Sequence, residues 1–283
     1  MKNCLICKSK NTQKYPAKVA EFVRDRIGMK DDRAIGFVRC LDCNFMFFDY
    51  RMSDQEMADL YHNYRGKEYQ QCRFKHEEFY TEKFNADLGK DAGEIETRKR
   101  NLLLAFKGAK IDLVKIKSIL DYGGDRGQHL NIEAFEDKEK YLFEVTDLPL
   151  EPGVRRVKEL KPESFDLVIS QHVLEHVPDP QKIMKEMADS LKNSGYFYFE
   201  LPFDNPIRNY DLIRKIKFRF FKERFIKGRE AKNRHFGMHE HINFFNKKSI
   251  ETLCKNNGLK TVFFGRVKSE YCDLIFGLAK KIN

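Results

Sequence analysis

Four cysteines at two matched spacings carry the plainest chemistry in the chain. Cys4 and Cys7 are separated by two residues, and so are Cys40 and Cys43. Two such pairs supply four thiolates, the number a tetrahedral structural Zn2+ takes. With every coordination place filled by protein, such a site is structural rather than catalytic. Lys8, Lys10 and Arg39 stand close in sequence and would soften the charge of a tetrathiolate. The gap between the pairs is longer than in the commonest pattern, so a small insertion must loop out. Four unrelated thiols are the bland alternative, but two C-x2-C pairs seldom coincide by chance.

A second constellation starts at Ser118. A short apolar run ends at Asp121 and passes into Gly123, Gly124 and Gly127, and Gln128 to Glu136 is expected to open a helix. Strand, tight glycine loop and helix begin a nucleotide-binding βαβ unit. Taken alone, the turn could be an ordinary loop. More of the unit follows, however. Lys140 to Glu144 reads as a short strand whose terminal carboxylate, 17 residues after Gly127, could bind both hydroxyls of a ribose. Ser164 to Ser170 reads as another strand, followed by Gln171, His172, Glu175 and His176. An amphipathic helix, Pro180 to Leu191, then leads to a buried-looking strand, Gly195 to Pro202.

The third constellation comes late: His235, His239, Glu240 and His241 fall within seven residues. Their spacing does not match the i, i+4 histidines of a helical zinc site. A base with an orienting carboxylate is the better chemical reading.

Together these pieces resemble the class I S-adenosylmethionine-dependent methyltransferases. The matching stretches are LDYGGDRG (120–127), Glu144, FDLVISQHVLEHVPDP (165–180) and HEHINFF (239–245), within roughly residues 115–283. The resemblance implies an α/β fold, a Rossmann-like core with a mostly parallel seven-stranded sheet. It implies S-adenosylmethionine as cofactor, held by Asp121, Gly123, Gly124, Gly127, Glu144, Gln171 and His172. A four-Cys head before such a core is similar to the sugar C-methyltransferases and their relatives in antibiotic and surface-polysaccharide pathways, where the head binds zinc and packs on the core. In that group an E-H pair carries base and active-site roles, which here match Glu240 and His241. His241 is then expected to be the base, oriented by Glu240, with His176 second. The chain departs from the pattern at two places. Asp125 stands where the family usually has Gly, so the loop is expected to bend less freely. Met238 stands where the sugar enzymes tend to have Tyr, which weakens the case for C-methylation in particular.

These readings divide the chain into a zinc-binding module (1–50), a helical connector or substrate cap (51–110) and a cofactor-binding core (111–283) with a basic insert at 205–235. Ser53 and Glu56 form a capping box, with Met57, Leu60, Tyr61 and Tyr64 at helical spacing behind it. Tyr61, Tyr64, Tyr69, Phe74, Phe79 and Tyr80 read better as packing for the connecting helices than as the lining of a cleft. A further helix is expected from Ile95 to Phe106. After Glu144, Pro149 and Pro152 resist a crossover helix, so a loop or single turn is expected before Val154. A helix to Asn256 and two closing antiparallel strands, Thr261 to Phe264 and Asp273 to Ala279, complete the core.

The net charge is +10, and residues 206–235 hold 11 Lys/Arg against 3 acids, so this segment alone supplies +8 of it. Apolar residues at 212, 213, 216, 220 and 221 make it an amphipathic helix with a cationic face. It reads as a lid over an anionic substrate, a solvated face, or a surface for membrane or nucleic acid. No run approaches the ~20 apolar residues of a membrane span, and MKNCLICKSK lacks a signal-peptide core, so a cytoplasmic location is expected. The expected function is methyl transfer to a sugar, nucleotide-linked or otherwise anionic. Competing readings are an RNA or small-metabolite methyltransferase and a non-catalytic scaffold that keeps the cofactor fold. Aromatics at single-strand stacking spacing are not evident, which argues against nucleic acid.

Overall fold

In the computed structural model, residues 3–145, 148–207, 235–268 and 273–282 are described. The cationic segment expected as a lid falls at 208–234, outside them.

Buried apolar runs form the central sheet. Strands β4 (Ser118–Tyr122) and β7 (Phe165–Gln171) are almost wholly buried, as parallel strands covered on both faces must be. With β5 (Glu139–Phe143), β6 (Val154–Arg156), β8 (Leu191–Pro202), β11 (Leu259–Lys268) and β12 (Asp273–Lys281) they make seven strands in the order β11-β12-β8-β7-β4-β5-β6. Only β12 runs against its neighbours. The chain leaves β4 for β5 on one side and later crosses to β7 on the other. The crevice at the C-terminal ends of β4 and β7 is therefore the topological switch point, where such sheets bind ligands. Helices α5 (Ala92–Gly108) and α6 (Pro180–Ser190) and helix α7 (Lys247–Asn256) pack on the sheet faces.

The expected helix at 128–136 is replaced by two 3-10 turns, Gln128–Leu130 and Glu133–Phe135, with Ile132 extended between them. Leu130, Ile132 and Phe135 are all buried. At offsets of two and three they cannot share one helical face, and the broken geometry buries all three. Between β5 and β6 the described residues 148–153 form no helix, as Pro149 and Pro152 led one to expect.

The insertion between the cysteine pairs is a hairpin, β1 (Thr12–Val19) and β2 (Ala34–Cys40), with the short helix α1 (Glu21–Arg26) at its tip. β3 (Met46–Phe48) pairs with β2. Two strands from the far end of the chain complete this second sheet: β9 (Phe236–Met238) pairs with β1 and β10 (Asn243–Phe244) with β3. The stretch 239–242 is thereby stretched between two strands of the head. The connector folds as α2 (Asp54–Tyr61), α3 (Lys67–His76), α4 (Glu82–Asp87) and α5, and the Ser53–Glu56 capping box forms at α2. Of its aromatics, Tyr69 and Tyr80 are buried while Phe74 and Phe79 are exposed.

Arg51 ties head and core together. Its guanidinium donates to the carbonyls of Pro178 (2.8 Å), Val177 (2.7 Å), Phe48 (3.1 Å) and Ile242 (3.3 Å) and to Asn243 Oδ1 (2.8 Å). Burial draws its pKa down to about 10. Removing the side chain leaves several of these buried acceptors unpaired. Arg51→Met is expected to lower unfolding free energy by about 3 kcal/mol in urea denaturation, more than any exposed Arg substitution.

Candidate functional site

At the end of β4, Asp121 is fully buried, and among the described residues neither carboxylate oxygen has a hydrogen-bond partner. The loop backbone lies directly on it. A Cβ built on Gly124 would sit 2.0 Å from Asp121 Oδ2, so only glycine fits there. Gly123 and Gly127 have φ of +72° and +79°, the left-handed region that favours glycine. Asp125 shares that region at φ +63°. The expectation that Asp125 stiffens the loop is corrected: aspartate tolerates this backbone, and its carboxylate pairs with Arg65 Nη1 at 2.7 Å. That ion pair joins the loop between α2 and α3 to the glycine turn.

Glu144 follows β5. Its carboxylate accepts from the backbone N–H of Asp125 (3.1 Å) and of Val145 (2.8 Å), so it rests against the glycine loop. Gln171 ends β7 and is buried with its Oε1 unpartnered. His172, in left-handed backbone, places Nδ1 3.3 Å from Glu175 Oε1 and Nε2 3.9 Å from Glu200 Oε1. Glu200, at the end of β8, is fully buried and accepts from Asn101 Nδ2 (2.8 Å) and Tyr198 OH (3.2 Å). The ends of β4, β5, β7 and β8 thus bring Asp121, Glu144, Glu175 and Glu200 around one crevice. Burial, with the nearby charge of Glu144, pushes the Asp121 carboxyl up to about 7 against the opposing pull of Arg98. For Glu175, burial also acts upward but is outweighed by His172, whose Nδ1 approaches to 3.3 Å, and by the charges of His176 and His241, which hold it down at about 2. A crevice with this donor set, several carboxylates and unpaired buried oxygens, fits a ligand that carries positive charge and hydroxyls.

His176 and His241 face each other with ring centroids 4.8 Å apart. His176 Nδ1 lies 3.1 Å from the Glu240 carbonyl oxygen and 3.2 Å from Tyr61 OH. Burial lowers its pKa, and Glu175 opposes the shift. His241 is half-exposed; burial lowers its pKa, but Asp204 and Glu175 outweigh that and raise it. The expectation that Glu240 orients His241 is corrected. The Glu240 carboxylate points away, to Arg73 Nη1 at 2.6 Å and Tyr69 OH at 2.5 Å, and Asp204 is the acid facing the His241 ring, 3.8 Å from Nδ1. Glu240 is held by the cap because α3 offers it a cation, and it fixes the loop rather than the ring.

In the head, the Sγ atoms of Cys4, Cys7, Cys40 and Cys43 all lie within 4.8 Å of one another, with Cys4–Cys43 at 3.6 Å and Cys7–Cys40 at 3.5 Å. A Zn–S bond of about 2.3 Å gives a tetrahedral edge of about 3.8 Å, so the thiol cluster fits this ion. Gln181 and Asn256 both donate to the Ile6 carbonyl at 2.9 Å, which docks the first knuckle on α6 and α7. A separate open cleft of about 440 Å³ lies between head and cap, lined in part by Lys18, Arg24, His76 and His239, and includes neither the glycine loop nor His176.

A family model described as a methyltransferase domain matches residues 80–262. The chain belongs to this methyltransferase-domain family. Among solved structures it is similar in fold to the 1,6-didemethyltoxoflavin-N1-methyltransferase of Burkholderia thailandensis, at 14% identity and a TM-score of 0.54 over 90% of this chain and 98% of that one. It is also similar to the N-methyltransferase NodS of Bradyrhizobium japonicum, at 13% identity and a TM-score of 0.45 over 69% of this chain and 91% of that one. Among curated proteins it matches a ubiquinone biosynthesis O-methyltransferase of Idiomarina loihiensis, 40% identical over 47 residues. That match takes in 17% of this chain and about a fifth, 19%, of the relative's length.

Within this methyltransferase-family chain, sequence reasoning missed Glu200, Asn101, Arg65 and Asp204. One signal could have found the two acids. Each central parallel strand ends at or near a carboxylate, and Glu200 and Asp204 flank the end of β8 as Asp121 ends β4. Because the folded-state pKa of Asp121 is raised, its contribution favours the fold at low pH and is lost as pH rises from about 4 to about 7. Asp121→Asn is expected to remove that loss, on the order of 2–4 kcal/mol, from the ligand-free protein. Denaturation curves at pH 4.5 and pH 8 on both proteins check this.

Proposed function

We propose that the chain is an S-adenosylmethionine-dependent methyltransferase acting on a sugar or a sugar-linked anionic group. The observation that carries the reading is Asp121, buried with both oxygens unpaired beneath a glycine loop at the sheet's switch point. When bound, S-adenosylmethionine supplies a methyl group on a sulfonium, which an acceptor takes by in-line displacement. Gly123, Gly124 and Gly127 let the backbone approach the ligand. Asp121 and Gln171 meet its polar groups, Glu144 takes the ribose hydroxyls, and His172 closes the crevice over Glu200. The protein's main task is alignment, which can account for much of the barrier. The acceptor sits between Tyr61 and the two histidines. With no other group bound there, His241 is the proton acceptor, with Asp204 beside it, and His176 the second.

Two features favour an anionic sugar. The four-Cys head packs on the core in one continuous apolar cluster, the arrangement that resembles the sugar enzymes, and the segment 206–235, which follows β8 in the sequence, carries +8 of charge. A small aromatic metabolite is the second reading, favoured by the paired rings of Tyr61 and Tyr64 beside His176. The chain works as head (1–50, its sheet completed by 236–238 and 243–244), cap (51–110) and core (the rest of 111–283), with structural Zn2+ in the head. Its described cysteines, none of them in a disulfide, suit the reducing cytoplasm.

Calorimetric titration with S-adenosylmethionine tests the reading. Micromolar binding is expected, with Glu144→Ala weakening it at least about tenfold through loss of charge-assisted hydrogen bonds. Absence of binding in the folded, zinc-loaded protein would sink the enzyme reading. One zinc per chain is expected by atomic absorption, and its removal by chelator should lower the melting temperature.

A further inference from the structure

A triad of metal-ligand atoms sits where the acceptor is proposed to bind. One oxygen of Glu175 and one nitrogen each of His176 and His241 lie within 4.8 Å of one another. Two histidines and a carboxylate are a donor set for a divalent transition-metal ion that keeps positions open for a substrate.

The surroundings of each group fit this use. A carbonyl oxygen only accepts hydrogen bonds, so at 3.1 Å from the Glu240 carbonyl the His176 Nδ1 carries the proton. The lone pair is then on Nε2, which faces Glu175 Oε1 at 4.0 Å. Two electron-pair donors thus point at each other in a buried place. His241 has Nδ1 toward Asp204 Oδ2 at 3.8 Å, which leaves Nε2 as the nitrogen available to an ion. Metal-bound histidines have their outer nitrogen held like this by a carbonyl or carboxylate. Glu175 is 1% exposed, and among the described residues neither of its oxygens receives a hydrogen bond of good geometry; His172 Nδ1 approaches to 3.3 Å. A buried carboxylate in that condition is costly. A proton can satisfy one pair of these atoms but not all three, and a cation can.

We propose that Glu175, His176 and His241 bind one divalent transition-metal ion whose open positions take an oxygen of the acceptor. The proposal rests on reading this cleft as the acceptor site, and it changes how the proton leaves. An acceptor hydroxyl ligated to the ion is acidified and loses its proton to water, while the imidazoles serve as ligands.

The test is titration of the full chain, loaded with one zinc per chain, with Mn2+, followed by loss of the free-ion paramagnetic resonance signal. Mn2+ is a harder ion that takes carboxylate and water oxygens and leaves the four-thiol site to zinc. One Mn2+ per chain is expected, bound at least about tenfold more weakly by Glu175→Gln and, separately, by His241→Gln. His241 lies at the half-exposed rim, so the second variant keeps the test alive if the first does not fold. No Mn2+ binding at millimolar ion, or binding that the folded variants leave unchanged, overturns the proposal. S-adenosylmethionine affinity measured on the same samples reads the methyltransferase assignment separately, since the Mn2+ titration needs no cofactor.

Discussion

The ion pair between Arg73 and Glu240 is the constraint on which the site's geometry depends. Arg73 arises on α3 of the cap, stacks over the Tyr80 ring at 4.2 Å, and reaches Glu240 at 2.6 Å in a stretch anchored at both ends to the head's sheet. Glu240 in turn presents its backbone carbonyl to His176, and the next residue sets the His241 ring beside it. Cap, head and core therefore meet through one buried carboxylate. Removing either partner of such a pair leaves an uncompensated charge inside the protein, which costs far more than an exposed pair gains. A second pair, Arg65 with Asp125, repeats the device at the glycine loop. The cap is thus fastened to the core at both the cofactor turn and the histidine stretch.

Local patterns made much of this readable from the residues alone. The apolar runs of β4, β7 and β8 announced buried parallel strands, the Ser53–Glu56 box announced α2, and the C-x2-C pairs announced a four-thiol cluster. Each of these signals is short in range, set by propensity, capping or ligand spacing. What stayed hidden is long in range. Nothing in residues 236–244 says that they pair with strands more than 190 positions earlier, because two- and three-residue strands carry no periodicity of their own. The partner of Glu240 was unreadable for the same reason: adjacency in sequence suggested His241, while the fold supplied Arg73 from 167 positions earlier.

Departures from the family pattern find their explanation in packing. Asp125 stands where glycine is usual, and the structure gives it the same backbone conformation together with an arginine partner that glycine could not have. Met238 is fully buried in β9, within the apolar cluster of the head. A tyrosine hydroxyl at that depth would need a hydrogen-bond partner. The broken segment after the glycine loop follows from burying Leu130, Ile132 and Phe135 together, and it leaves the loop's geometry to its own glycines and to Glu144.

Hydrogen–deuterium exchange with and without S-adenosylmethionine tests the central claim, that this crevice is the cofactor site, most directly. The account predicts slowed exchange in peptides covering 121–128, 143–145 and 171–173, with the four-Cys knuckles unchanged. Protection confined to the head, or to the open cleft between head and cap, would contradict it.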